Sequence, residues 1–110
     1  MRKIGNFLWI DEKDGNYVLS MTPELQDDVG TVGYVEFTHE KELKSGDVIA
    51  RIEASKTVLD IYSPISGKIV KLNLDAESTP TLLNDADSSK SWLAILSDVP
   101  TAEYDELPEA

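Results

Sequence analysis

The chain contains no cysteine. Disulfides, thiolate metal sites and cysteine nucleophiles are therefore excluded, and the absence accords with a reducing compartment. Histidine occurs once, at His39. No set of ligands gathers around it in sequence, so it reads as a surface residue rather than a base or a metal ligand. There is no glycine-rich phosphate loop and no cluster of catalytic residue types, so an autonomous enzyme is not expected. Long apolar runs are also missing. None approaches the roughly 18 residues of a membrane span. The first six residues are basic but lack the apolar stretch of a signal peptide. The expected location is cytoplasmic, without a membrane partner. Basic residues are few, 10 against 21 acidic ones, for a formal charge of -11. That charge repels phosphates and argues against nucleic acid as a partner. It favours solubility and partners with basic docking surfaces.

What is present suits one small β-rich domain. The 110 residues leave little for a second domain, and 41% hydrophobic content supplies one modest core. Residues 4–19 alternate loosely between apolar and polar and read as two strands joined by a loop at 11–16. Thr22 and Pro23 then suit the cap and first position of a short helix, which Gly30 can close with positive φ. Residues 31–37 are rich in Val, Tyr and Phe and read as a strand. Residues 39–44 read as a charged loop.

Residues 44–74 are the most informative. After the turn Ser45-Gly46-Asp47, strands are predicted at 48–53, 58–62 and 68–74. The polar break Ala54-Ser55-Lys56-Thr57 makes the first two a hairpin, with Lys56 at its tip. Ser66-Gly67-Lys68-Ile69-Val70-Lys71 weakly repeats Ser45-Gly46-Asp47-Val48-Ile49-Ala50, which suggests two similar β-units and a flattened barrel of two small sheets. Residues 78–84 read as one capped helix with Pro80 at its first position. Residues 85–90 read as a loop and 92–96 as a closing strand. The stretch 98–110 has five acids, two prolines and no base, and reads as a disordered tail or a loose helical turn.

An exposed lysine on a rigid hairpin suits a carrier. Acylation turns its ammonium into an amide and leaves a long uncharged arm at high local concentration near a docked enzyme. The chemistry then belongs to the arm and the protein supplies position. Hairpin geometry alone favours an ordinary surface lysine, so the surrounding residues decide. Glu53-Ala54-Ser55-Lys56-Thr57, then Asp60-Ile61-Tyr62-Ser63-Pro64-Ile65-Ser66-Gly67, resembles the lipoylation region of the glycine cleavage system H-protein family. The resemblance extends to Pro80-Thr81-Leu82-Leu83-Asn84, to Trp92-Leu93 and, upstream, to Leu8-Trp9-Ile10.

The resemblance implies a mostly β, lipoyl-domain-type hybrid barrel of two sheets, with short helices at its periphery. Residues 1–98 are then the carrier domain, and composition sets off 99–110 as an acidic tail. The resemblance further implies lipoate amide-linked to Lys56, with Glu53 shaping the hairpin for the modifying enzymes. The implied partners of such a monomer are a lipoate ligase or lipoyl transferase, a dihydrolipoyl dehydrogenase and the glycine cleavage enzymes. Three features depart from the family pattern. The chain is short, Phe7-Leu8-Trp9 stands where the family has His-Glu-Trp, and Ser91 stands where a glycine commonly precedes the tryptophan. Short H-like proteins serve lipoyl relay or redox roles linked to ADP-ribosylation, with macrodomain and ADP-ribosyltransferase partners. On that reading Asp27 and Asp28, at the end of the first helix, are candidate acceptors of ADP-ribose. A biotin carrier shares the barrel but flanks its lysine with methionines, where this chain has Ser55 and Thr57. An unmodified adaptor is the alternative of a different class.

Overall fold

The first residues form a meander of three strands, β1 (Arg2–Gly5), β2 (Leu8–Lys13) and β3 (Asn16–Met21), in a computed structural model that describes residues 2–110. The sequence pattern predicted two strands and a longer loop here. The loop shrinks to Asp14-Gly15, with φ of 54° and 83°, as a type I′ hairpin requires. Asp11 remains in β2 on the outer face it shares with Trp9, and Glu12, on the alternate face, is exposed at the end of the strand beyond the core. Asp11 also accepts from the Arg2 guanidinium directly opposite, at 2.8 Å. Asn6 and Phe7 turn β1 into β2, again with positive φ. The Phe7 carbonyl is held by Thr22 Oγ1 at 2.7 Å.

Helix α1 (Pro23–Val29) forms as its residues suggest. Thr22 Oγ1 accepts from the Leu25 amide, Pro23 opens the helix, and Gly30 closes it at φ 77°. Strand β4 (Val32–Phe37) follows. The expected loop at 39–44 contains a short strand, β5 (Glu42–Leu43), because Leu43 is buried and pairs with Gly67. Next come β6 (Val48–Ala54), β7 (Val58–Tyr62) and β8 (Gly67–Leu72). The helix expected across 78–84 forms as a 3₁₀ turn with Pro80 at its start (Pro80–Asn84), and a short helix the sequence did not signal, α2 (Asp75–Ser78), precedes it. Thr79 separates them at φ -130° and ψ 77°, since a residue before proline is pushed out of the helical region. No side chain caps either piece. Strand β9 (Trp92–Ser97) completes the larger sheet.

The strands make two antiparallel sheets, β1-β2-β3-β9-β8-β5 and β4-β6-β7. Their inner faces enclose one core that includes Leu8, Ile10, Leu19, Ile49, Ile52 and Leu93, all 0% exposed. This is the expected flattened, mostly β fold with helices at its edges, although one sheet is larger than expected. The two copies of the weak repeat open β6 and β8, in opposite sheets, and the Ser45 amide donates to Ser66 Oγ at 3.0 Å.

The acidic end of the chain packs on the larger sheet as helix α3 (Thr101–Asp105) and a short extended piece. Tyr104 is buried against Tyr17, and Leu107 packs on the core. The Ile4 amide donates to the Pro108 carbonyl, and the Ala110 amide to the Arg2 carbonyl. These bonds cover the outer edge of β1, which a tail of this composition did not announce.

Candidate functional site

Strands β6 and β7 run to a turn in which the Ala54 amide donates to the Thr57 carbonyl at 2.9 Å. Ser55 and Lys56 form its tip, and neither has positive φ. The twist-matched turns of two-residue hairpins need positive φ, so other contacts must hold this tip. They come from the end of α1. The Lys56 amide donates to the Val29 carbonyl at 3.0 Å and the Ser55 amide to the Thr31 carbonyl at 2.9 Å. Ser55 Oγ returns the contact by accepting from the Thr31 amide at 2.9 Å.

Gly30 lies at the centre of this junction. Its φ of 77° disfavours any side chain, and a Cβ there would overlap Ser55 Oγ. Asn84 fixes the same segment from the other side. Its Oδ1 accepts from the Val32 amide at 2.8 Å and its Nδ2 donates to the Gly30 carbonyl at 2.7 Å. Gln26 ties α1 to the 3₁₀ turn by donating to the Leu83 and Asp85 carbonyls. Gly30 entered the sequence reading only as a helix stop and Asn84 only as part of a family run. Gln26 carried no signal, because its partners are distant carbonyls.

Lys56 is exposed, and its Nζ donates to the Asp27 backbone carbonyl at 2.9 Å. It has no ion-pair partner among the described residues. Lys56 and Asp27 line one shallow depression of about 360 Å³, together with Gln26, Thr31 and Asn84. Asp28 is exposed but does not line it. Glu53 is exposed on the outer face of β6, opposite Tyr34 on β4 and Val58 on β7. A mainly apolar groove of about 440 Å³ runs beside β7, lined by Phe7, Leu25, Leu59 and Tyr62 among others. His39 is exposed on a separate surface. No group of three or more His, Asp or Glu among the described residues could hold a metal.

Two titrating groups are displaced, both away from the tip. Asp87 lies below the usual carboxylate range because the Ser89 hydroxyl and amide donate to it. Tyr104 lies above its ordinary value of 10.0, chiefly through burial and then through the charge of Glu12.

This arrangement of a lysine on an anchored hairpin tip coincides with a match to a family model. The model for the glycine cleavage H-protein matches residues 2–110. The chain belongs to the glycine cleavage H-protein family. It is 51% identical over 110 residues to a glycine cleavage system H-like protein of Staphylococcus aureus, covering 100% of both chains. It is 33% identical over 103 residues to a glycine cleavage system H protein of Oceanobacillus iheyensis, covering 93% of this chain and 82% of the other. The crystal structure of a glycine cleavage system H protein from Mycobacterium marinum has the same fold. The TM-score is 0.81 at 24% identity, covering 99% of this chain and 89% of the other. Among the described residues, no helix of this H-protein family member is long and apolar enough to cross a membrane.

Proposed function

We propose that the protein is a lipoyl carrier, not an enzyme, with lipoate joined through an amide to Lys56. Membership of a carrier family supports this. The observation that carries it is Lys56 itself, an exposed amine on a tip whose backbone is anchored to α1.

The residues at the tip suit the group. Among the described residues the one partner of Lys56 Nζ is a carbonyl, so turning the ammonium into an amide leaves no buried or paired carboxylate without its cation. Lys56 Nζ gives up one proton to become nucleophilic. It gives up a second as its bond to the lipoate carboxyl carbon forms and the activating group leaves. One N–H remains and can still donate to the Asp27 carbonyl. When bound, the group would supply a disulfide that is reduced as it accepts an intermediate and that a dihydrolipoyl dehydrogenase would reoxidise after release. The anchored tip limits where the arm starts, and the mainly apolar groove beside β7, with Asp60 among its lining residues, offers it a resting surface.

The partners proposed are a lipoate ligase or lipoyl transferase, a dihydrolipoyl dehydrogenase and the glycine cleavage enzymes, with the carrier acting as a monomer in the cytoplasm. Glu53 serves recognition by the modifying enzyme. Intact-mass measurement with peptide mapping of natively expressed protein tests the reading. A lipoyl group on Lys56 is expected. An unmodified Lys56, in cells whose other lipoyl proteins are modified, would overturn it in favour of an adaptor.

A second, finer reading concerns ADP-ribosylation. It is favoured by the adjacency of Asp27 to Lys56. An acceptor carboxylate at Asp27, rather than at Asp28, would set a bulky anionic group over the lysine and block its use. Macrodomain and ADP-ribosyltransferase partners would then control the carrier. A matched transferase should lose modification of the Asp27→Ala, Asp28→Ala double variant. Equal modification of that variant and the parent would sink the idea.

A further inference from the structure

We propose that the outer face of the six-stranded sheet is a docking surface for an extended acidic segment of a partner protein. The surface is distinct from the tip, since Lys56 is borne by the three-stranded sheet. Strand pairing sets two rungs next to each other on this face. Arg2, Asp11, Val18, Ile95 and Lys71 stand opposite one another across β1, β2, β3, β9 and β8. Ile4, Trp9, Ser20 and Trp92 form the neighbouring rung. A bulge at the Leu19/Ser20 step keeps Leu93 and Ala94 both buried and returns Trp92 to the outer face. The apolar members of both rungs remain partly exposed, and both tryptophans of the chain are among them.

Charge sets this face apart from a molecule that carries -11. Alternation along β2 puts Lys13 on the same side as Trp9 and Asp11, so Arg2, Lys13 and Lys71 stand against a single acid, Asp11. Lys68, at the far edge, is already matched by Glu42 opposite and by Asp98 at 3.6 Å. The bordering loop keeps its acids engaged, Asp85 with Lys90 and Asp87 with Ser89. The two end cations are held over the indoles. Arg2 Cζ lies 4.0 Å from the centre of the Trp9 ring and Lys71 Nζ 5.9 Å from that of Trp92. Arg2 spends Nε and Nη2 on Asp11, and its Nη1 donors have no partner among the described residues. Lys71 has no ion-pair partner among them either. Ser20, between the indoles, is 0% exposed, and its Oγ has no hydrogen-bond partner among the described residues. A buried hydroxyl without a partner is costly, and an occupant that parts the indoles would supply one.

The spacing fits a short segment. From β1 to β8 there are four strand spacings of about 4.8 Å, or about 19 Å between the end cations. About six extended residues at about 3.3 Å each cover that length. A segment with acids at its two ends and apolar side chains between them therefore meets Arg2, the indoles and Lys71 together, and Trp and Arg are frequent interface anchors. Nucleic acid and anionic membranes offer the same sign of charge, but over areas wider than this face. There they meet the repulsion of the acidic remainder of the molecule. A partner held here leaves the hairpin tip on the other sheet open to enzymes that act on Lys56.

Because both tryptophans lie in the surface, their emission reads its occupancy without a label. The full chain is titrated at low salt with the acetylated peptide Glu-Glu-Leu-Phe-Leu-Glu-Glu and with the version carrying Lys at each Glu. A deoxythymidylate decamer and phosphatidylglycerol vesicles are titrated in parallel. The acidic peptide should shift the emission and saturate, and the other three should not. Arg2→Gln and Lys71→Gln should each weaken the acidic peptide about fivefold, as loss of one charge pair does. Lys44→Gln, an exposed cation outside this face, should bind at the parent level. Thermal unfolding checks each fold. Should Arg2→Gln loosen β1, Lys71→Gln decides, since Lys71 is exposed and unpaired among the described residues. An acidic peptide that leaves the emission unchanged, or that binds Lys71→Gln as tightly as the parent, would overturn the proposal. So would equal binding of the Lys peptide, or tighter binding of the decamer or the vesicles.

Discussion

Single residues determine whether the lysine is held in one place. Gly30 is the clearest case, because a β-carbon there collides with Ser55 Oγ and the backbone is left-handed. Gly30→Ala should cost about 1–3 kcal/mol, read by urea unfolding, and should weaken amide protection at Ser55 and Lys56 in hydrogen exchange. Asn84 makes two hydrogen bonds to the backbone around that glycine. Asn84→Ala leaves a backbone donor and a carbonyl without their partner and should cost about 1–3 kcal/mol. Unfolding measured in the same way would show it. An Asn84→Ala protein as stable as the parent would mean that water replaces both bonds at no cost. Lys56→Arg should fold normally and take no lipoate, since a guanidinium does not form the amide; intact mass reads the loss.

At the scale of elements, local chemistry and tertiary contacts divide the work. The Asp14-Gly15 turn and the Thr22 cap are local and follow from a few adjacent residues. Strand β5 and helix α3 are not local. β5 exists because it completes the edge of β8, and α3 because Tyr104 and Leu107 find apolar neighbours on the larger sheet. Lys3 Nζ adds a hydrogen bond to the Asp105 carbonyl at 3.1 Å and a contact with the Tyr104 ring at 5.1 Å. Burial raises the Tyr104 phenol above its ordinary 10.0. The neutral form is therefore favoured in the folded state. Its stabilisation is complete below pH 10.0 and is lost as pH rises through the higher folded value. Alkaline titration followed by tyrosinate absorbance should show Tyr104 ionising late, with faster exchange at the Ile4 and Ala110 amides that close the edge of β1. Tyr104→Phe, which cannot ionise, should remove that alkaline loss.

For the whole molecule, charge is the dominant variable. The long axis measures 36 Å, comparable to a Debye length of about 30 Å at 0.01 M salt and far above about 8 Å at physiological ionic strength. Most of the excess carboxylates therefore repel one another in dilute buffer and are screened in saline. Thermal unfolding should occur a few degrees higher at 0.15 M than at 0.01 M salt. Lipoylation by an enzyme that meets Glu53 with a cation should slow over the same range, because salt weakens steering. A lipoylation rate indifferent to salt would argue for a purely apolar contact.

The sequence by itself determined the class of protein, the two-sheet β architecture, and the hairpin that bears Lys56. Those properties reside in short-range information: alternation of apolar residues, turn chemistry at Asp14-Gly15 and Ser45-Gly46-Asp47, and a long run around one lysine. It placed a helix starting at Pro80 but not its 3₁₀ geometry, and it missed α2 before it, which Thr79, pushed out of the helical region by Pro80, keeps separate. It also passed over the contacts that anchor the tip. Only the tertiary structure decided that Ser55 and Lys56 rest on Val29 and Thr31, that Asn84 clamps Gly30, that Tyr34 stands beside Glu53, and that the acidic end closes β1. Each of these joins backbone groups or side chains far apart in the chain. Their partners become defined only when the two sheets close on a common core.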